Sequence, residues 1–164
     1  MSADNRCANS ILVVVPCGRS KIWSKQPSAG PTVAKDAYTG SPFKVNRKYA
    51  ERDGHDWIIL SAKYGFISPD FEIPAPYEIT FKRKSSGPVT IEVLKKQVAD
   101  MGLERYVAVI GLGGKEYRAA VFAAFENTVI APKFPFAGLP IGKAMQATKQ
   151  AIEQSDRWVH DRVC

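Results

Sequence analysis

The chain has 164 residues, 45% hydrophobic and 24% charged, a balance that suits one globular domain and excludes a disordered polymer. Lys and Arg total 23 against 16 Asp and Glu, and the formal charge of +7 draws such a protein towards polyanions, nucleic acid or phosphorylated ligands. No apolar run approaches the roughly 18 residues of a membrane span, and three cysteines without a CxxC pair argue against a disulfide framework or zinc site and for a reducing, cytoplasmic setting.

Residues 1–10 are polar and read as a flexible arm rather than a secretory leader, leaving 11–164 as a single domain. Ile11 to Val15 is a β-branched run closed by Pro16, the mark of a buried strand. Cys17-Gly18-Arg19-Ser20-Lys21 follows as a short polar loop, and Ser24 to Thr32 is an irregular connection. A helix is expected over Phe43 to Arg52, capped by Ser41, with Pro42 in its first turn and Gly54 at its end. Trp57 to Leu60 reads as a second buried strand, and Ser61 to Tyr77 as a long loop with Pro69, Pro74 and Pro76. Ser85 to Pro88 opens a helix reaching Met101, with apolar positions at Ile91, Leu94, Val98 and Met101, and Gly102 stops it. Tyr106 to Ile110 is a third strand, Lys115 to Phe125 a helix, Val129 and Ile130 a short last strand, and Ile141 to Val159 a final helix. Strands alternating with helices predict an α/β three-layer sandwich, with a mainly parallel sheet of about four strands flanked by helices.

In such sheets ligands bind beyond the carboxyl ends of the strands, where three loops fall here. Cys17–Lys21 joins Gly18 to small polar residues whose backbone N–H groups can converge on an anion, with Ser20 and Lys21 as donors. It is neither a Walker loop nor a Cys-phosphatase loop, since Trp23 stands where the latter needs its Arg. Cys17 as a nucleophile lacks an obvious base, because His55 and His160 lie in no motif; otherwise it is a small buried hydrophobe. Ser61-Ala62-Lys63-Tyr64-Gly65 places Ser61 and Lys63 at the same edge, with Tyr64 available to stack on a base or cover the sheet. Gly111, Gly113 and Gly114 precede a helix start, where phosphates bind readily, and the alternative is a tight strand-to-helix turn; Glu116 and Tyr117 follow. Tyr38 and Phe43 bracket the Gly40 turn as a stacking wall or as core anchors, and Arg47 on the next helix can address a phosphate. The carboxylates open to acid/base work are Asp36, Asp70, Glu72, Glu78 and Glu116. No metal-binding cluster and no cofactor fingerprint stands in the sequence.

Val15 to Lys21, Ala37 to Gly40 with Arg47 and Tyr49-Ala50, Leu60 to Gly65, and Gly111 to Gly114 with Tyr117 together resemble a group of small bacterial, archaeal and phage domains similar to the YaaA peroxide-stress proteins. That likeness covers most of residues 11–145. Ser61 to Phe66, followed by Pro69 and Tyr77, is similar to a YaaA segment. The Pro-Cys-x-x-x-Lys loop resembles one in the lysine-transferring domain of archaeosine synthase, whose fold resembles uracil-DNA glycosylases. The resemblance implies a sheet-edge pocket for a nucleobase or nucleotide. YaaA is a longer protein and the archaeosine enzyme carries additional domains, so the resemblance does not extend to a dedicated DNA-binding subdomain.

The expectation is therefore an enzyme acting on a nucleobase, nucleoside or nucleotide, free or in DNA or RNA, by cleavage or exchange at an N-glycosidic bond or by base modification. In that expectation the Cys17–Lys21 loop and the Gly111–Gly114 turn hold phosphate or ribose, and Tyr38, Phe43 or Tyr64 stacks on the base. Lys21, Ser61 and Lys63 stabilise developing negative charge, and Glu116, Asp36 or Asp70 is the acid/base. The rivals are a non-catalytic nucleic-acid binder of the DNA-protection kind, and a sensor or sponge that binds a nucleotide signal without turnover.

Overall fold

A computed structural model describes residues 10–154. Its main sheet contains β1 (Ile11–Pro16), β3 (Asp56–Ser61), β4 (Gly65–Ile67) and β6 (Ala108–Gly111) in the order β4-β3-β1-β6. β1 runs parallel to both β3 and β6, and β4 pairs antiparallel with β3. A two-stranded antiparallel ribbon joins β2 (Thr32–Val33) to β5 (Glu72–Ile73). The helices are α1 (Ala34–Ala37), α2 (Ser41–Glu51), α3 (Ile91–Asp100), α4 (Lys115–Ala124) and α5 (Ile141–Gln154).

β1 is central and its residues Leu12 to Val15 are buried, as a strand covered on both faces must be. Alternate side chains enter different cores. Leu12 and Val14 join Ile58, Leu60 and Val109 under α3 and α4, against Leu94, Val98, Tyr117, Val121 and Phe125. Val13 and Val15 join Ile59 on the other face, against Phe43, Tyr49 and Ala50 of α2 and the half-buried Ala151 and Ile152 of α5. The result is the expected α/β three-layer sandwich. Each fully buried Val or Leu contributes on the order of 2 kcal/mol of transfer free energy.

Several element boundaries move. α2 begins at Ser41, one residue earlier in the cap than expected: Gly40 is its N-cap and the Ser41 side chain caps nothing. The Ser61–Tyr77 stretch is not one open loop. It holds β4 and β5, and the segment between them is pinned to α1 by hydrogen bonds from Ala34 N to the Phe71 carbonyl (2.7 Å) and from Lys35 N to the Pro69 carbonyl (2.9 Å). α3 starts at Ile91 rather than Ser85, because Thr90 supplies the cap through Val93 N–H (3.3 Å). Ser85 and Ser86 form a 3₁₀ turn instead, and Met101 lies exposed while Leu103 takes the buried place. The third strand begins at Ala108, and Tyr106 turns its hydroxyl to Asp56 (2.7 Å).

Val129 and Ile130 form no strand. The Thr128 hydroxyl donates to the Phe125 carbonyl (2.8 Å) and accepts from Ile130 N–H (3.1 Å), turning the chain and leaving Val129 94% exposed. The place beside β6 goes to Lys133, bonded in parallel register through Lys133 N to the Val109 carbonyl (2.9 Å) and Gly111 N to the Lys133 carbonyl (2.8 Å). The fourth strand of the sheet is β4. Residues 1–9 of the expected arm at 1–10, and residues 155–159 of the final helix, lie outside the described residues; Ser10 is tied to the chain before β6 by Val107 N–H (3.1 Å). No helix among the described residues is long and apolar enough to cross a membrane.

Candidate active site

Chain reversal at the carboxyl end of β1 builds the site. Cys17 N–H still bonds the Leu60 carbonyl of β3 (2.9 Å), so the loop leaves the sheet under control of its neighbour. Lys21 then pairs as an antiparallel bridge with Tyr38, and Thr39 N–H donates to the Ser20 carbonyl (3.0 Å). These bonds bring the Cys17–Lys21 loop against the Gly40 turn. A methyl group built on Gly40 would stand 3.6 Å from Ser20 Cβ, and one on Gly18 would stand 3.8 Å from Phe43 Cβ.

Lys21 is 7% exposed, unusual for a lysine. Its Nζ lies 4.4 Å from the centroid of the Tyr77 ring and 5.9 Å from that of Tyr38. Burial pushes its ammonium below the ordinary lysine range, and the charges of Cys17 and Glu78 oppose that push.

A directed chain of hydroxyls lies beside it. Ser61 Oγ accepts the backbone N–H groups of Lys63 (3.2 Å) and Tyr64 (3.1 Å) and lies 2.8 Å from Tyr77 Oη. Tyr77 Oη lies 2.5 Å from Tyr38 Oη. With its lone pairs engaged by two N–H groups, Ser61 donates to Tyr77, and Tyr77 donates to Tyr38. Tyr38, 2% exposed, is the buried far end of the chain. Burial raises the Tyr38 and Tyr77 hydroxyls well above the ordinary tyrosine range, and the neighbouring Cys17 adds to the rise. Both are neutral donors at physiological pH.

On the opposite wall Cys17 Sγ is 3.5 Å from Tyr117 Oη, which also lies 3.5 Å from Thr80 Oγ1. Phe81 packs edge-on against Tyr117, with centroids 5.1 Å apart. Burial is the first cause that raises the Tyr117 hydroxyl too, and Cys17 the second.

Gln97 of α3 holds the edge in place. It accepts from Phe66 N–H and donates to the Tyr64 carbonyl, both at 2.9 Å. Tyr64 meets Tyr77 edge-on at 5.7 Å, and Lys63 Nζ stands 5.3 Å from the Tyr64 centroid and 5.8 Å from that of Tyr77.

Of the residues expected from sequence, Cys17, Gly18, Ser20, Lys21, Tyr38, Gly40, Phe43, Ser61, Lys63, Tyr64 and Tyr117 therefore share this edge. Tyr38 and Phe43 touch at 5.1 Å and are both buried, so their rings serve the core as well as the wall. Arg47 is engaged elsewhere: it pairs with Glu51, with the Lys35 carbonyl (2.9 Å) and with Asp36 (3.5 Å). Arg47, Asp36, Lys44 and Phe43 line a separate open cleft of about 160 Å³ that borders Tyr38. Asp70 pairs with Lys35 at 3.1 Å on the exposed surface. Glu116 is exposed in the first turn of α4.

Gly111 and Gly113 serve packing. A methyl group on Gly111 would fall 2.5 Å from the Phe134 ring, and one on Gly113 would fall 2.6 Å from Pro16 Cγ. Gly114 caps α4, and Arg118 bonds the Gly113 carbonyl at 2.9 Å.

Sequence reasoning assigned no role to Tyr77 or Thr80, and it grouped Glu78 with four other carboxylates. The signal for Tyr77 is its place behind Pro74 and Pro76: it is a buried aromatic in a segment whose neighbours 74–76 are exposed. Among the described residues no group of three His, Cys, Asp or Glu side chains is placed to hold a metal ion. The chemistry on hand is an amine, a thiol and a set of neutral hydroxyl donors.

The chain is 36% identical over 145 residues to the uncharacterized protein YfjM of Bacillus subtilis (strain 168), an alignment covering 87% of this chain and 95% of that protein. No solved structure matches it. The family model DUF6884, described as a family of unknown function, matches residues 12–150, which takes in every group of the site described above, and the chain belongs to that family.

Proposed function

We propose that the protein is an enzyme that binds a nucleobase, nucleoside or nucleotide, free or within nucleic acid, and cleaves or exchanges the N-glycosidic bond or modifies the base. One observation carries this reading: the buried Lys21 amine shares the carboxyl end of β1 with a chain of buried hydroxyls that runs from Ser61 through Tyr77 to Tyr38. A departing base needs a proton or a hydrogen bond as it gains electrons, and a preorganised neutral tyrosine supplies one without solvent reorganisation. The exposed Lys63 adds positive charge at the same sheet edge, and the half-buried Tyr64 ring is a stacking surface. The net charge of +7 favours an anionic ligand. The likeness of the Cys17–Lys21 and Ser61–Phe66 loops to archaeosine synthase and YaaA supports the same ligand class.

The test is a thermal-shift panel of nucleobases, nucleosides, mono- and dinucleotides, and short DNA and RNA, on the wild type and Lys21→Ala. A ligand at 100 times its Kd adds about 2.7 kcal/mol of stability. The expected result is that a small nucleotide or nucleoside raises the melting temperature of the wild type and not of the variant, and is then turned over.

Lys82, Arg83 and Lys84 form an exposed cationic run next to Phe81 and Thr80, and this favours a second reading, a nucleic-acid binder without turnover. In that case only polynucleotides shift the melting temperature, and added salt erases the shift through counterion uptake.

A further inference from the structure

Lys21 has the surroundings of a reactive amine. A lysine kept for solubility stands in water or against a carboxylate. Every ion pair seen among the described residues uses another cation. The hydrogen bond of Lys21 Nζ, to the Arg19 carbonyl at 3.4 Å, is long for an N–H donor. Two tyrosine rings form its walls, and their hydroxyls lie in the chain that ends at Tyr38. Desolvation among apolar and aromatic groups is how proteins hold a lysine in its nucleophilic, neutral form. The backbone bridge to Tyr38 sets where the side chain of Lys21 starts, beside the two rings.

We propose that Lys21 Nζ is a covalent nucleophile that attacks the anomeric carbon of the nucleoside, a role that rests on the N-glycosidic reading above. The Nζ lone pair forms a bond to C1′ as the bond from C1′ to the base breaks. The bonding pair leaves on the base nitrogen, which takes the proton of Tyr38. The C1′–O4′ bond then opens, with one proton passing from Nζ to O4′, and a protonated imine joins Lys21 to the open-chain sugar. Water adds to that imine and expels the amine, giving the free sugar. The proton released restores Tyr38, and the net change is hydrolysis of the glycosidic bond without any oxidant or reductant.

The experiment uses the unmodified full chain at pH 7 with ribose 5-phosphate and sodium cyanoborohydride, which turns an imine into a stable amine. Peptide mass mapping then locates the adduct. The expected result is labelling of Lys21 at least about tenfold faster than of the exposed Lys82 and Lys84, saturating with sugar concentration, and absent in Lys21→Arg. Labelling of Lys21 no faster than of those surface lysines, by ribose 5-phosphate and by acetaldehyde alike, overturns the proposal, even if nucleotides still raise the melting temperature. A second arm with acetaldehyde separates the two readings. Preferential labelling of Lys21 by acetaldehyde but not by the sugar phosphate upholds the nucleophile and removes the glycosidic substrate.

Discussion

The loops after β1 and β6 leave neighbouring strands at one edge of one sheet, and both carry the glycines of an anion cradle in the sequence. The molecule uses them differently. The Cys17–Lys21 loop collects buried polar groups: a lysine 7% exposed, a thiol 3.5 Å from a tyrosine hydroxyl, and a bridge to Tyr38. The Gly111–Gly114 turn devotes its glycines to close approach, Gly111 to the Phe134 ring and Gly113 to Pro16 at the end of β1. The second loop is the support and the first is the candidate site. Glycine in a sequence marks missing bulk or an unusual φ, and only the surroundings say whether a ligand or a neighbouring side chain fills the space.

Gly113→Ala tests that division most severely. At φ +108° an L side chain is strained, at about 1–3 kcal/mol. The added methyl also meets the Pro16 ring at 2.6 Å, and overpacking of this kind costs about 1–3 kcal/mol more. Urea denaturation should show a total loss of about 2–6 kcal/mol. Gly114→Ala, whose nearest contact would be the flexible Glu116 carboxylate at 3.9 Å, should change stability by less than about 1 kcal/mol. Equal effects at the two positions would mean that the turn is not built around Pro16.

Tyr77→Phe sharpens the other side of the comparison. It removes the hydroxyl that lies 2.8 Å from Ser61 and 2.5 Å from Tyr38, so the Ser61 proton and one Tyr38 lone pair lose their partner. An unsatisfied buried hydroxyl costs about 1–3 kcal/mol, so a loss of about 2 kcal/mol is expected by urea denaturation. The same variant leaves the Tyr38 proton without its directing chain, so the ligand-induced rise in melting temperature should shrink. A Tyr77→Phe protein with wild-type stability would show that the hydroxyl chain is not held in the order Ser61, Tyr77, Tyr38.

How much of this was legible in the residues follows from range. The β-branched run Ile11–Val15 and the apolar spacing of Leu94 and Val98 are local patterns, and they place β1 and α3 within a few residues. The α/β class follows from their alternation. Val129 and Ile130 read as a strand on composition alone, yet the Thr128 hydroxyl turns the chain there and Lys133 bonds to β6 instead. The ribbon of β2 and β5 was hidden because each strand has two residues, too few to show a period. The site divided the same way. Loops at strand ends could be read from topology, which placed Cys17, Lys21, Ser61 and Lys63 at one edge. Tyr77 and Thr80 reach that edge only because the chain from 68 to 73 is tied to α1, and no sequence window spans that contact.

The carboxylates make the smallest and most discriminating comparison. Asp70 is an exposed partner of Lys35, with side chains 75% and 37% accessible, and pairs of that kind contribute about 0–1 kcal/mol. Asp70→Asn should therefore alter stability by less than about 0.5 kcal/mol and leave the ligand-induced melting shift intact. Glu78 is also exposed, but its charge acts on Lys21 through space. Glu78→Gln should leave stability nearly unchanged and yet alter the response to ligand, because it removes negative charge that favours the protonated amine. Its sign is informative. If Lys21 acts as a neutral amine, Glu78→Gln raises the rate at which cyanoborohydride fixes a sugar to it. If Lys21 acts as a cation that grips phosphate, the same change weakens nucleotide binding, because a larger share of the amine is then neutral. Loss of ligand response in Asp70→Asn with none in Glu78→Gln would move the working carboxylate to the β2–β5 ribbon and away from the end of β1.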